Sequence, residues 1–548
     1  MSDAGTNMAD YEEARRTFRL GVPAEFNYAR DVVDERARVR PSDLALLALD
    51  PQGGNPRRLS FGDLSERSNR AANFLSARGV TKGDRIFLMM PRIPQWYDVM
   101  LGAFKLGAVP MPGTVQLTPK DIRYRIESAE ATVAVTDPAG AAKVDEVQST
   151  FPMVRQRIVA DGAYGDWVSL EDGMERASTG VPESAPTAAA DPLLIYFTSG
   201  TTGQPKMVLH THASYGIGHE ITARFWMDLR PGDLHWTISD LGWAKAAYGK
   251  LFGQWRRGAA VLVWDGRGKP EFDQILHIAE SYGVTTFCAP PTIYRQFVQM
   301  DLSRFDLSRM RHAMAAGEPL ESETFEVWKQ ATGLEIHDGY GQTETCITVA
   351  NYPSLPKKPG SMGKPSPSYE VAVVDDGGAP VDPGIEGQIA IRVNPQRPVG
   401  LFSEYWKDPE RTAEVFQGDW YYSGDRAHVD EDGYFWFGSR TDDVIISAGY
   451  RIGPFEVESV VMEHPSVAET AVIGVPDPER GEVVKAFVVL APGRTASPDL
   501  ASEIQQHCKK STAPYKYPRQ VEFVEELPKT ISGKIRRVEL RQREASTE

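Results

Sequence analysis

The chain has 548 residues, more than one hydrophobic core usually serves, so at least two domains are expected. Hydrophobic residues at 41% and charged residues at 25% are ordinary for a globular protein, and no run of about 18 apolar residues offers a membrane-crossing helix. A net charge of −15, from 75 acidic and 60 basic residues, argues against a nucleic-acid or anionic-membrane surface, but not against a local basic pocket for a phosphorylated ligand.

In chain order, residues 1–18 lack the apolar core of a secretory signal, so a cytoplasmic location is expected. Residues 61–78 read as an amphipathic helix, with Leu64, Ser68, Ala71, Ala72 and Leu75 on one face. A short buried strand follows at 86–90, a helix at 95–106 ending at Gly107, and a strand at 132–136. This alternation predicts a layered α/β domain with parallel pairing. Residues 177–190 are small and Pro-rich, as in a flexible connection. The pattern resumes with a strand at 259–264, a helix at 271–282, a strand at 284–288 and a helix at 292–300. From about 360 to 440, short strands at 369–374, 387–393, 420–422 and 434–437 predict a β-rich subdomain. The last hundred residues read as a separate α+β unit with helices at 454–463 and 498–510 and strands at 467–473, 484–490 and 520–524. Cys288, Cys346 and Cys508 are few, distant and odd in number, so neither a disulfide framework nor a zinc site follows.

The most informative stretch is YFTSGTTGQPK, residues 196–206, behind the apolar run Leu193–Phe197. Glycines let backbone N–H groups curl around an anion, hydroxyls add donors, and Lys206 adds a cation. The pattern fits a polyphosphate cradle, but not the Walker type, which ends in Gly-Lys-Ser/Thr. Five further segments fall in order behind it: AGEPL (316–320), DGYGQTET (338–345), YYSGD (421–425), SRTDDVIISAGYRIGPFEVE (439–458) and PKTISGKIRR (528–537). Together the six motifs resemble those of the adenylate-forming superfamily, most closely the medium-chain, AMP-forming acyl-CoA synthetases, from about residue 30 to 540.

The resemblance implies a large N-terminal AMP-binding domain, residues 1–440, and a small mobile C-terminal domain, 441–548, turning about Asp442. It implies ATP, Mg²⁺ and coenzyme A as reactants with a small carboxylic acid, which becomes acyl-AMP with release of pyrophosphate and then a thioester with release of AMP. Thr198, Ser199, Gly200, Thr201, Thr202, Gly203, Gln204, Pro205 and Lys206 would hold the β- and γ-phosphates. Gly317, Glu318 and Pro319 would line the adenine site with Asp338 and Gly339, and Tyr340 would stack on the base. Gly341 and Gln342 would belong to the same nucleotide site, Thr343 would bind the α-phosphate, and Glu344 would ligate Mg²⁺, a cation that takes one or two carboxylates beside phosphate oxygens. Asp425 would accept the ribose hydroxyls, Arg440 would add a ribose contact, and Arg451 would reach the AMP phosphate. Lys534, a solvated tail charge if read alone, would stabilise the adenylation transition state as a mobile ammonium.

For coenzyme A, the resemblance points to Ala448, Gly449 and Tyr450 along the pantetheine arm, and to Arg480, Tyr517, Pro518 and Arg519 at its nucleotide end. Two departures stand out: Ala448 replaces a more usual serine, and Lys509 replaces a small polar residue found in some members. The acyl pocket would lie along residues 238–255, with Trp243 as a wall and Lys245 at the rim, which favours short to medium acids. Loading of a carrier protein in trans and luciferase-like oxygenation remain alternatives. Self-association and a lysine acyltransferase acting on Lys534 are further partnerships compatible with the sequence; neither nucleic acid nor stable membrane insertion is expected.

Overall fold

The computed structural model describes residues 5–148, 153–198, 205–268, 271–440, 443–447, 450–477, 480–512, 516–529 and 534–546, the Arg451 side chain excepted. Its strands form five sheets among the described residues. The fold is mixed α/β, with a large N-terminal domain and a smaller C-terminal one.

The amphipathic helix forms as expected, over Phe61–Ala77, capped by a reciprocal pair in which Ser60 accepts from the Asp63 backbone and Asp63 from that of Ser60. Its small residues matter: a Cβ on Gly102 would lie 2.9 Å from the Ala71 Cβ, so this helix and Pro94–Leu106 pack backbone to backbone. The second helix ends at Gly107, φ +72°, where a left-handed residue costs glycine little. Beneath lies an all-parallel sheet with Arg85–Met89 between Val109–Gly113 and Val133–Thr136.

A nine-stranded sheet carries the centre of the N-terminal domain. Its middle is parallel, running Ile336–Tyr340, His312–Ala316, Thr286–Ala289, Leu234–Thr237, Ala260–Trp264 and Leu44–Leu49, with antiparallel strands at both edges. Strands buried on both faces tend to apolar runs, as Leu44–Leu49 and Ala260–Trp264 do. The β-rich subdomain is an antiparallel sheet built on Val371–Val374, Gly387–Arg392, Trp420–Val429 and Phe435–Arg440. The C-terminal unit packs helices Pro454–Met462 and Pro498–Ser511 on a sheet centred on Gly481–Leu490.

Two features differ from the sequence reading. Pro192–Thr198 pairs antiparallel with Lys206–Thr211, a strand that alternation in Met207–His210 hardly signals. The connection 177–190 carries no helix and is tied down rather than loose: Asn69 and Asn73 amides donate to the carbonyls of Thr179, Ser178 and Gly180, and the Lys82 ammonium to that of Pro186.

Candidate active site

At one end of the site, Thr198 and Lys206 face each other across the hairpin. Ser199, Gly200, Thr201, Thr202, Gly203 and Gln204 lie outside the described residues. The Lys206 ammonium stands 5.0 Å above the Tyr405 ring, and the Tyr405 hydroxyl donates to Glu344 Oε1 at 2.9 Å. Glu344 is buried. Among the described residues no group of three or more His, Cys, Asp and Glu side chains forms a metal cage. A single carboxylate linked through Tyr405 to Lys206 would suit Mg²⁺, which retains oxygen ligands from phosphate and water.

Asp338, Gly339 and Tyr340 close the strand Ile336–Tyr340 and leave it towards the second half of the site. Gly341 is needed there, because a Cβ would lie 2.7 Å from the Cys346 carbonyl oxygen as the loop folds back. The Tyr340 hydroxyl donates to Asp425 Oδ2 at 2.6 Å. Gln342 Nε2 donates to the same oxygen at 2.7 Å and to the Ser423 carbonyl at 2.8 Å, while its Oε1 accepts from the Tyr421 hydroxyl at 2.9 Å. Both ends of Gln342 are thus engaged within the protein, so it braces Asp425. Arg440 is the cross-strand partner of Asp425, with Nε 3.8 Å from Oδ1. Burial pushes the Asp425 carboxyl up, and the Arg440 guanidinium opposes this. Burial also pushes Asp338 up, to about 8, against a hydrogen bond from the Gly339 N–H.

Gly317, Glu318 and Pro319 leave the end of His312–Ala316, with Gly317 at φ +105°. Glu318 accepts from the Thr292 hydroxyl at 2.9 Å and lies 3.6 Å from Arg295. Two lysines from different parts of the chain meet at Gly317. A Cβ built there would lie 3.8 Å from Lys245 Nζ and 4.0 Å from Lys534 Cε. Lys245 also donates to the Ala316 carbonyl at 2.7 Å. Lys534 is reached by water yet stands in a crowded cleft, so desolvation draws its ammonium below the ordinary lysine value while Glu318 and Asp425 oppose the shift.

The loop bearing Lys534 is anchored on its own domain. Arg536 N donates to the Pro528 carbonyl at 2.8 Å, and Arg537 pairs with Glu458 at 2.6 Å. Arg541 pairs with Asp443 at 2.6 Å. Asp442, Ala448 and Gly449 lie outside the described residues, as does the side chain of Arg451. Tyr450 is 52% exposed. Arg480 sits at the start of Gly481–Leu490, its N–H bonded to Asp477. Pro518 is buried, while Tyr517 takes cations on its ring: Lys509 Nζ at 4.4 Å and the Arg519 guanidinium at 5.0 Å. The unusual Lys509 therefore joins the positive cluster that Arg519 begins.

Trp243 caps the helix Ala244–Lys250, and its buried indole N–H has no partner among the described residues. The preceding Gly242 presses on the Val109–Gly113 edge, where a Cβ would lie 2.0 Å from Thr114 N. The sequence reading missed Tyr405, His210 and Tyr215, and the bond from Tyr421 to Gln342. Their signal is spatial, since each lies far in sequence from the motif it supports.

Known proteins resemble this chain over nearly its whole length. A family model described as AMP-binding enzyme matches residues 33–406, and one described as AMP-binding enzyme C-terminal domain matches 456–534. The human protein "Acyl-coenzyme A synthetase ACSM3, mitochondrial" is 46% identical over 99% of this chain and 93% of its own. The solved anthranilate CoA ligase AuaEII, in complex with anthranoyl-AMP, superposes with a TM-score of 0.89 at 32% identity, covering 96% of this chain and 98% of that one. The acyl-CoA synthetase of Brucella canis superposes with a TM-score of 0.75 at 34% identity over 98% and 100%.

Proposed function

The chain belongs to the AMP-binding enzyme family as one of its acyl-coenzyme A synthetases, and we infer that it joins a carboxylic acid to coenzyme A in two steps between Lys206, Glu344, Asp425 and Lys534. In the first, a carboxylate oxygen of the acid attacks the α-phosphorus of ATP; the bond to the bridging oxygen breaks and pyrophosphate leaves. In the second, a thiolate attacks the acyl carbonyl and AMP leaves. The first step drives an anion towards a polyanion, so positioning and charge neutralisation dominate its barrier. Mg²⁺ bound at Glu344 would supply part of that neutralisation.

The observation that carries the reading is the meeting of Lys534 and Gly317 in one cleft with Glu318 and Asp425. It sets a tail-domain ammonium beside the nucleotide site of the body, as the first step requires. Asp425, braced by Tyr340 and Gln342, faces the ribose; Thr343 faces the α-phosphate. The tail must then turn to admit the thiol, and the linker at Asp442 is where the turn falls. Tyr450 and the Lys509–Tyr517–Arg519 cluster lie on the domain that moves, and their charge and exposure suit a phosphorylated thiol carrier.

The acid is short to medium in length. The bulk of Trp243 carries this reading, and bulky rings crowd the neighbouring strand end: a Cβ on Gly339 would lie 2.6 Å from the Trp226 ring, which Tyr248 meets at 6.0 Å. All three cysteines are buried and free, which suits the cytosol, and no helix among the described residues is long and apolar enough to cross a membrane. Water access to Lys534 also leaves its amine open to a lysine acyltransferase; an unmodified Lys534 peptide after exposure to an acylating system would remove that role. The test of the main reading is pyrophosphate release across straight, branched and aromatic acids, with and without coenzyme A. Release that needs an acid, followed by AMP and thioester only when coenzyme A is added, is expected. No acid-dependent release would overturn the reading.

A further inference from the structure

One carbonyl in the site is held by two buried side chains that no motif contains. The Thr343 carbonyl oxygen accepts from the Tyr215 hydroxyl at 2.6 Å and from His210 Nε2 at 2.8 Å. A carbonyl has two lone-pair directions, so these two donors saturate it. A carbonyl oxygen can only accept, so His210 carries its proton on Nε2, and Nδ1 is left to accept from the Ser214 hydroxyl at 3.0 Å. Ser214 is fixed in turn by the Thr211 N–H at 2.8 Å. The two rings stack with centroids 3.3 Å apart, 18° from parallel. Both are fully buried, and burial holds the imidazole neutral, with its pKa down to about 3.

His210 lies on Lys206–Thr211, four residues beyond the lysine that faces the polyphosphate. The other edge of this strand pairs Val208 with Tyr405, whose hydroxyl holds the Glu344 carboxylate, and the Phe402 N–H donates to the Glu344 carbonyl at 2.8 Å. One strand thus references Lys206, Thr343 and Glu344 to each other. Turning the Thr343–Glu344 peptide would break both bonds at its carbonyl and leave two buried donors unpaired.

We propose that His210 and Tyr215 are positioning residues: a fixed clamp on the Thr343 carbonyl that aims the Thr343 hydroxyl and the Glu344 carboxylate at one Mg²⁺–triphosphate. The proposal rests on the reading of Glu344 as the metal carboxylate. Outer-shell partners of this kind typically change metal affinity by about 10–100-fold when removed.

The experiment is calorimetric titration of full-length protein with ATP, with Mg²⁺ present and with Mg²⁺ chelated. The variants are Tyr215→Phe, which removes one hydroxyl and keeps the ring, His210→Leu, and His210→Gln, which keeps a neutral donor. The clamp predicts that Tyr215→Phe and His210→Leu weaken Mg²⁺-dependent ATP binding by about tenfold or more while binding without metal stays as in wild type, and that His210→Gln restores part of the loss. Equal affinities in wild type and Tyr215→Phe, or equal losses with and without Mg²⁺, would reject the clamp and leave the enzyme reading standing. Failure of wild type to bind ATP at all would overturn that reading and the clamp with it.

Discussion

Lys534 and Lys245 reach the same glycine, and in the proposed cycle only Lys534 travels. Lys534→Ala is expected to cut acyl-AMP formation by at least about a hundredfold, the usual scale for losing a preorganised charge partner in a transition state. Thioester formation from supplied acyl-AMP should survive, because that step follows the tail's turn; equal losses in both half-reactions would refute the role. Because desolvation lowers the lysine pKa, its ammonium is lost, and adenylation should decline, at a pH below that of an ordinary lysine. Lys534→Arg should move that limb upwards, measured as pyrophosphate release against pH. Asp338 gives a stability test of opposite sign. Its carboxyl is raised to about 8, so between the ordinary aspartate value and 8 the folded state holds a proton that the unfolded state has lost. That contribution is full below about pH 4 and is lost by about pH 8. Asp338→Asn should therefore gain stability relative to wild type as pH rises through this window, read as the difference between two melting curves.

Elements explain how much of the site could be read from order alone. The strands at 86–90, 132–136, 259–264 and 284–288 were legible as apolar runs and the helix Phe61–Ala77 by its apolar face, whereas the parallel strands Leu234–Thr237, His312–Ala316 and Ile336–Tyr340 were not, because polar residues open or interrupt them. Lys206–Thr211 was not, since its six residues mix a lysine, a histidine and a threonine with three apolar side chains. Asp425, Tyr340 and Glu344 were singled out by motif as candidates for the nucleotide and its metal, while Tyr405, Gln342's bracing bonds and the contacts at the Thr343 carbonyl are products of tertiary contact. The turn before Trp243 is the sharpest packing constraint near the acyl segment. Gly242→Ala would drive a methyl into the Thr114 backbone, so it should shift Trp243 and change the ranking of acids in the pyrophosphate assay more than it changes ATP affinity. At the domain linker, Asp442→Pro should fix φ and separate the two half-reactions kinetically; unchanged single-turnover rates for both would argue against a hinge there.

Across the whole molecule, buried histidines set the acid limit of the fold. His210, His212 and His235 are held near 3 and His312 near 4, with burial the main cause in each. The unfolded chain takes up these protons below about pH 6.5 while the folded chain does not. Their contribution is present above that pH and is lost as pH falls towards 4, at up to about 1.4 kcal/mol per pH unit for each histidine. Four such groups outweigh the opposite trend of Asp338, so the melting temperature should drop steeply between about pH 6.5 and 4; a flat profile would show that the histidines are hydrated in solution.

The hairpin at the cradle has a consequence for how the enzyme responds to its ionic surroundings. Many phosphate loops run into a helix, whose aligned peptide dipoles supply a built-in positive end. Here the described chain after the loop is Lys206–Thr211, a strand, and strand dipoles largely cancel. Without a helix dipole, the proposed grip on the triphosphate tail leans, beside the loop's own N–H and hydroxyl donors, on discrete charges such as Lys206 and the divalent ion, set on a molecule of net charge −15. Discrete charges near water are screened by salt, so raising potassium chloride should loosen the grip on ATP well before it loosens the grip on AMP.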